Sequence, residues 1–243
     1  MEKYLLNTYI NKRLKSIKRR LTAYKQNQTP EDLHHIRVDI KKIKALFSFA
    51  EDAYKRNYSC KELKSLFRKA GAIREQQINI QLLSVLSPFP KRFVAQLKQE
   101  ENALQKQFLK YTSHYLKNIT HFKNDLSLPE RLPNKRTLQS YFRKELKKAN
   151  KKLHSDNKES THRYRTKIKN ILYVYNILPE NLQQSIELDT ESITLQQKKV
   201  GQWHDLYSAI NYLSNQSFAP KITDYISKLK QKESKQFNAL FKD

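Results

Sequence analysis

Two glycines in 243 residues constrain this chain more than any other feature. At an ordinary usage of ~7% about 17 would be present. Glycine supplies the positive-φ positions of tight turns, phosphate loops and bulges. Its scarcity excludes most α/β and β architectures, together with the Gly-rich phosphate loops of the Walker and dinucleotide types. Helix is what remains. The seven prolines, Pro30, Pro88, Pro90, Pro129, Pro133, Pro179 and Pro220, fall between periodic segments, as expected where proline opens helices and is kept out of their interiors. The segments between them follow a helical period and are rich in Leu, Ile, Lys, Glu and Gln. The pattern predicts eight helices, over Glu2–Lys25, Pro30–Tyr54, Ser59–Leu86, Lys91–Thr120, Thr137–Asn157, Lys158–Ile177, Thr190–Leu213 and Pro220–Leu240. The one long connection, 121–136, divides them into two groups of four, spanning 1–120 and 137–243.

The groups repeat each other. His34, Ile36, Arg37, Ile40, Lys41, Ile43 and Phe47 recur in type as His162, Tyr164, Arg165, Ile168, Lys169, Ile171 and Tyr175, at a constant offset of 128. Thr29 reads as a capping hydroxyl before Pro30, Glu31 and Asp32, and Asn157 stands at the matching place. Further on, Gly71-Ala72-Ile73-Arg74-Glu75 matches Gly201-Gln202-Trp203-His204-Asp205, offset by 130. The only two glycines therefore share one repeat position. A glycine inside a helix costs about 1 kcal/mol against alanine, which predicts a close helix–helix approach or a helix break there.

Charge is the second constraint. Lys and Arg number 48 against 23 Asp and Glu, a formal net charge of +25. Such a balance self-repels and is usually offset by a polyanion. With 11 Phe and 14 Tyr the chain is too rich in core anchors to be a disordered basic tail. The single Cys60 excludes a disulfide framework and a Cys-based zinc site, and fits a reducing, cytoplasmic compartment. No apolar run approaches a membrane span, and the basic N-terminus lacks the apolar core of a secretory signal.

On a helical wheel Ile36, Ile40, Ile43 and Phe47 form a core-facing stripe, with His34, Arg37, Lys41 and Lys44 directly beside it. Asp39 and Lys42 fall on the side expected to face water. In the second copy His162, Arg165 and Lys169 form the basic stripe. Neither stripe carries the acids that solvated helix faces use for i, i+4 pairs. Packed across a shared cleft, the two stripes would oppose like charges, each pair at about 4 Å costing about 1 kcal/mol in water and about 4 at an effective dielectric of about 20. A multivalent anion in the cleft would account for that arrangement. Arg19 and Arg20, with their repeat equivalents Lys147 and Lys148, could extend the track.

These residues resemble a known family. His34-x-x-Arg37-Val38-x-x-Lys41-Lys42-x-Lys44 and His162-x-x-Arg165-x-x-x-Lys169-x-x-x-Tyr173 are similar to the two signature helices of the conserved histidine α-helical domain, the CHAD family. Gly71–Glu75 and Val200–Leu206 are similar to its later motifs, so the resemblance spans essentially the whole chain. It implies two four-helix bundles related by pseudo-twofold symmetry in a single domain over 1–243, around a central basic groove or pore that binds inorganic polyphosphate. Many members are fused to a triphosphate tunnel metalloenzyme domain or associate with polyphosphate granules; here the eight helices are expected to use the whole chain. Leu172 replaces the usual basic residue before Tyr173, Glu75 replaces the commoner Asp, and Lys41, Lys42 and Lys44 stand where Arg is usual. Lysines offer point charges rather than bidentate forks, which suits sequence-blind capture.

On this reading Arg37 and Arg165 fork onto phosphate oxygens, and Lys41, Lys44 and Lys169 act as mobile charges, with Arg74, Tyr173 and His204 completing the site. His34 and His162, set among cations, are expected to be neutral when the site is empty and to protonate when a polyanion binds, so affinity should rise on acidification. No metal or other cofactor is expected: each helix offers one histidine ligand in a field that repels cations. No catalysis is expected either, since hydrolysing phosphoanhydrides normally needs a metal held by convergent carboxylates. Glu75 and Asp205 read as anchors for Arg74 and His204. The competing reading is a single-stranded RNA- or DNA-binding protein, with aromatics such as Tyr141 and Phe142 stacking on bases.

Overall fold

The computed structural model describes residues 4–84, 91–153, 157–216 and 222–241. Among these there are ten α-helices and no strand: α1 (Leu5–Asn27), α2 (Pro30–Tyr54), α3 (Lys64–Ser84), α4 (Lys91–Lys110), α5 (Thr112–Asn124), α6 (Lys135–Leu153), α7 (Lys158–Tyr175), α8 (Glu180–Gln183), α9 (Thr190–Ser214) and α10 (Thr223–Ala239). A 3₁₀ turn, Lys61–Leu63, leads into α3. The expected start at Glu2 and the breakers Pro88, Pro90 and Pro220 lie outside the described residues.

The count of eight is corrected to ten for two reasons. The segment read as one helix over Lys91–Thr120 divides at Tyr111, which has φ −97° and ψ 5° and whose N–H bonds back to Phe108 O at 3.1 Å. That is a tightened 3₁₀-type turn with no proline to announce it. The second addition is the four-residue α8, opened by Pro179 within the connection to α9. The linker also shortens to 125–134, because α5 runs to Asn124 and α6 begins at Lys135.

Apolar spacing explains why these segments are helices. In α1, Leu6, Ile10, Leu14, Ile17, Leu21 and Tyr24 recur every three or four residues, and all are buried. The helix ends on left-handed Gln28, φ 51°, whose N–H closes on Tyr24 O at 3.0 Å. Proline at N1 then opens α2. The Thr29 hydroxyl makes no backbone cap; it donates to Asp32 Oδ2 at 2.6 Å. Asn157 does cap α7, its Oδ1 accepting from Ser160 N at 3.1 Å.

Neighbouring helices pair in the same succession in each half: α1 on α2, α2 on α3 and α3 on α4, then α6 on α7, α7 on α9 and α9 on α10. The halves meet through repeat equivalents, α2 against α7 and α3 against α9. One buried apolar cluster runs from Leu6 through Ile36, Ile40, Phe49, Ile168 and Ile171 to Trp203, and so includes both halves. A smaller one joins Leu83 and Leu97 to Leu206, Ile210, Leu213 and Ile226. Burial of each such side chain contributes about 1.5–3 kcal/mol.

Candidate functional site: a basic seam between α2 and α7

The α2–α7 contact brings the two basic stripes together. Lys41 on α2 feels the charges of Arg37, Lys169 and Arg165, two of them from the opposite half. Burial first, and then these cations, lower its ammonium to about 8. Lys169 on α7 is lowered to about 8 as well, by burial and by Arg165. Arg37 and Arg165 are shifted down by burial too, each with one acid in partial compensation: Glu75 for Arg37 and Asp205 for Arg165.

Each arginine is seated by its own half's glycine. Arg37 Nη1 donates to Phe67 O at 2.7 Å, and its guanidinium carbon lies 4.4 Å from the centroid of the Phe67 ring. This places it directly over Gly71, where an added β-carbon would stand 2.1 Å from Nη1. In the other half a β-carbon on Gly201 would lie 3.3 Å from Arg165 Nη2. Both glycines sit inside unbroken helices, α3 and α9. The close approach, not the helix break, is what they provide, and an arginine side chain fills the space.

The second half adds a pair of imidazoles. His162 on α7 and His204 on α9 stack with centroids 4.3 Å apart and planes at 25°. Arg165 Nη1 lies 3.3 Å from His204 Nδ1, Ser208 Oγ 3.4 Å from the same nitrogen, and Asp205 Oδ1 4.0 Å from it. Asp205 also reaches Arg165 Nη2 at 3.8 Å. Burial and the charges of His204, Arg165 and Lys41 lower His162 to about 4, and its Nδ1 is buried without a hydrogen-bond partner. Burial would raise Asp205, but its hydrogen bond with His204 and the charges of Arg165, His204 and Lys169 outweigh that and hold it below the usual carboxylate range. His34 lies at an exposed position of α2; desolvation by its surroundings, Arg74, His35, Lys41 and Lys169 all lower it. Both signature histidines are thus shifted towards the neutral form, the direction expected from the sequence.

The remaining expected residues spread outward from this seam. Arg74 is half-buried on α3, its Nη1 3.4 Å from Gln77 Oε1. Glu75 is exposed and acts on Arg37 through its charge, so its expected role as an anchor for Arg74 is replaced by one toward Arg37. Tyr173 stands across from Lys42, whose Nζ lies 5.8 Å from the ring centroid. Lys44 turns to the flank, its Nζ 4.2 Å from the Phe67 centroid, on the ring that Arg37 also covers. Arg20 is tied to Asp32 at 3.1 Å and Lys148 to Glu145 at 2.7 Å, while Arg19 and Lys147 are exposed on α1 and α6. These four line no part of the α2–α7 seam that the shifts above define.

Asp39 and Lys42 correct the wheel. Asp39 is 4% exposed and pairs with Arg13 of α1 at 3.1 Å. Lys42 is half-buried and lowered by burial and by Arg13. The side of α2 expected to face water is covered by α1 and α7. Phe67, Asp39 and Arg13 thus join the site's support unannounced by motif spacing; the paired glycines were the one sequence signal for the arginine seats.

The CHAD domain matches the chain over residues 8–214. No protein with a curated description matches it. Among solved structures, the crystal structure of the CHAD domain from the plant Ricinus communis is similar, with a TM-score of 0.69 at 13% identity, covering 97% of this chain and 89% of that one. The fold is therefore shared where the sequence has diverged, and the chain belongs to the CHAD domain family.

Proposed function

We propose that this chain binds inorganic polyphosphate, without catalysis, in the basic seam between α2 and α7. The polyphosphate association of the CHAD family supports the reading. The observation that carries it is the convergence of Arg37, Lys41, Arg165 and Lys169 from two halves on one place, with both lysines lowered to about 8. Crowded cations destabilise an empty protein, and a chain of linked phosphates relieves that cost by supplying a negative charge at each step. Arg37 and Arg165 give forked, charge-assisted hydrogen bonds to phosphate oxygens; Lys41 and Lys169 follow the anion as point charges. His34, Arg74, His162, Tyr173 and His204 border the same track, and Lys44, Arg19, Arg20, Lys147 and Lys148 extend the positive field outward.

In this reading the chain forms one domain of two pseudo-symmetric four-helix bundles, with α1–α4 and α6, α7, α9 and α10 as equivalents and the groove between them. Its place is the cytoplasm, at polyphosphate granules. Leu172 removes one family contact, so binding through the second half is weaker than an arginine there would give.

The nucleic-acid alternative loses the stacking pair read from the sequence, because Tyr141 and Phe142 are 6% and 1% exposed and packed in the core. Competition decides between the two. Long-chain polyphosphate and single-stranded RNA of equal charge are titrated at about 0.15 M salt and the slope of log affinity against log salt is recorded. Polyphosphate should win, and Arg37→Ala with Arg165→Ala should abolish the preference. Preference for RNA would refute the reading.

A further inference from the structure

Away from the seam, α3 and α4 enclose a different chemistry. A cavity of about 530 Å³ lies between them, lined by Gln76, Glu100, Ala103, Leu104 and Gln107. The last four stand at i, i+3, i+4 and i+7 of α4 and so share one face. Gln76 comes from α3 and is only 7% exposed. None of the five belongs to the α2–α7 seam. We infer that this cavity binds a small aliphatic amine, with its ammonium between Gln76 and Glu100 and its carbon chain on Ala103 and Leu104.

The amide of Gln76 is oriented by its neighbours. Its Nε2 donates to Glu100 Oε2 at 2.9 Å and to Tyr212 Oη of α9 at 2.6 Å, and Tyr212 Oη donates to the same carboxylate oxygen at 2.9 Å. Turned over, the amide would set its own oxygen against the carboxylate. In the orientation held, both N–H groups are used, and Oε1 is buried without a hydrogen-bond partner. A buried acceptor that meets no donor is costly, so a donor seated here is stabilising. Glu100 Oε1 is under-used as well, accepting only from Gln96 Nε2 at 3.4 Å. Two acceptors from two helices thus want donors at one end of one cavity.

The donor called for is a cation. Among the described residues Glu100 is held only by neutral groups, and so is the adjacent Glu101, which accepts from Gln77 Nε2 at 3.0 Å and Gln105 Nε2 at 2.9 Å. Glu75 adds a third negative charge that reaches Tyr212. One amide and one carboxylate are too few ligands for a hard divalent cation, and no group of three His, Cys, Asp or Glu that could hold a metal occurs among the described residues. A primary ammonium asks for less: acceptors for its N–H donors and a carboxylate to balance its charge. Ala103 and Leu104 give its methylenes an apolar floor. At the other end of the cavity Lys69 Nζ already donates to Gln107 Oε1 at 2.9 Å, so the ligand's charged end belongs at Glu100.

Titration of n-pentylamine, charged at neutral pH, into the isotope-labelled full chain without polyanion tests this by NMR. Pentanol, which lacks the charge, and tetramethylammonium, which lacks the N–H donors, are the controls. The amine should give saturable shifts at Gln76 and along 100–107 in the millimolar range, and neither control should match it. Glu100→Gln keeps an acceptor for Gln76 and Tyr212 but not the charge, and should weaken binding at least about tenfold. Ala103→Trp, at an exposed position of α4, should fill the cavity and abolish binding. Failure to saturate, equal binding of either control, or an unchanged affinity in either variant overturns the inference. Should Glu100→Gln not fold, Ala103→Trp decides alone.

Discussion

Gly71 lies directly beneath Arg37: a β-carbon there would stand 2.1 Å from the arginine's Nη1, and Gly201 bears the same relation to Arg165 at 3.3 Å. In a chain with only two glycines, both are placed to seat the arginine of their own half. The unequal distances make a prediction. Gly→Ala inside a helix gains about 1 kcal/mol of propensity. At Gly201 the Arg165 end group yields by a few tenths of an ångström, so Gly201→Ala should be neutral or stabilising by up to about 1 kcal/mol. At Gly71 the guanidinium must leave its place and lose its bond to Phe67 O, worth about 1 kcal/mol, so Gly71→Ala should be the less stable of the two. Urea unfolding at pH 7.5 ranks them, and the reverse order would contradict the seating account.

Lys41 and Lys169 link stability to alkaline pH. Each is a base whose folded value, about 8, lies below its ordinary 10.5. Between those limits the unfolded chain holds more protons than the folded one, so stability increases as pH rises from about 8 and is depressed at neutral pH, by up to about 3 kcal/mol for each group. Thermal unfolding without polyanions should therefore show greater stability at pH 9.5 than at pH 7.5. Lys41→Met should flatten that rise and raise stability at pH 7.5, while weakening polyphosphate binding about tenfold through loss of one charge-assisted contact. A destabilised Lys41→Met would remove the case for crowding.

His162 acts on the acid side. Its folded value of about 4 lies below the usual 6.5. The unfolded chain takes up this proton first, so stability present above pH 6.5 declines as pH falls toward 4, by up to about 3 kcal/mol, and levels off below. In His162→Gln the decline between pH 6.5 and 5, above the carboxylate range, should be visibly shallower in denaturant titrations. An identical decline would show that other groups carry it.

Asp39 is predicted to be structural. It is the partner of Arg13 across α1 and α2. Removing one member of a buried pair strands the other charge, and here Lys42 stands beside it. Asp39→Ala should cost about 3 kcal/mol, with Arg13→Met, Asp39→Ala together costing less than Asp39→Ala alone. A double-mutant cycle in guanidinium measures it; additive effects would mean the pair does not couple.

Much of this architecture is written locally. Proline and capping residues punctuate α2 and α7, and the 128-residue offset reveals the repeat because the same apolar and basic positions recur. Tyr111 escapes that logic: its turn interrupts no periodicity and uses no breaker residue. Asp39 escapes it because a wheel cannot say which helix covers a second face, and α1 and α7 together leave α2 no fully wet side. The convergence of Arg37, Lys41, Arg165 and Lys169 follows from stripes adjoining a core. That His204 grips Arg165 while Arg74 meets Gln77 depends on side-chain packing between α7 and α9 and within α3, which spacing does not encode.

The most direct test is crystallographic: the full chain crystallised with polyphosphate, and the position of the phosphates located by anomalous or difference density. Phosphates within hydrogen-bond distance of Arg37, Lys41, Arg165 and Lys169, between α2 and α7, are the expected result. Phosphates confined to outer faces such as Arg19 and Lys147, with the seam closed over its own cations, would contradict it.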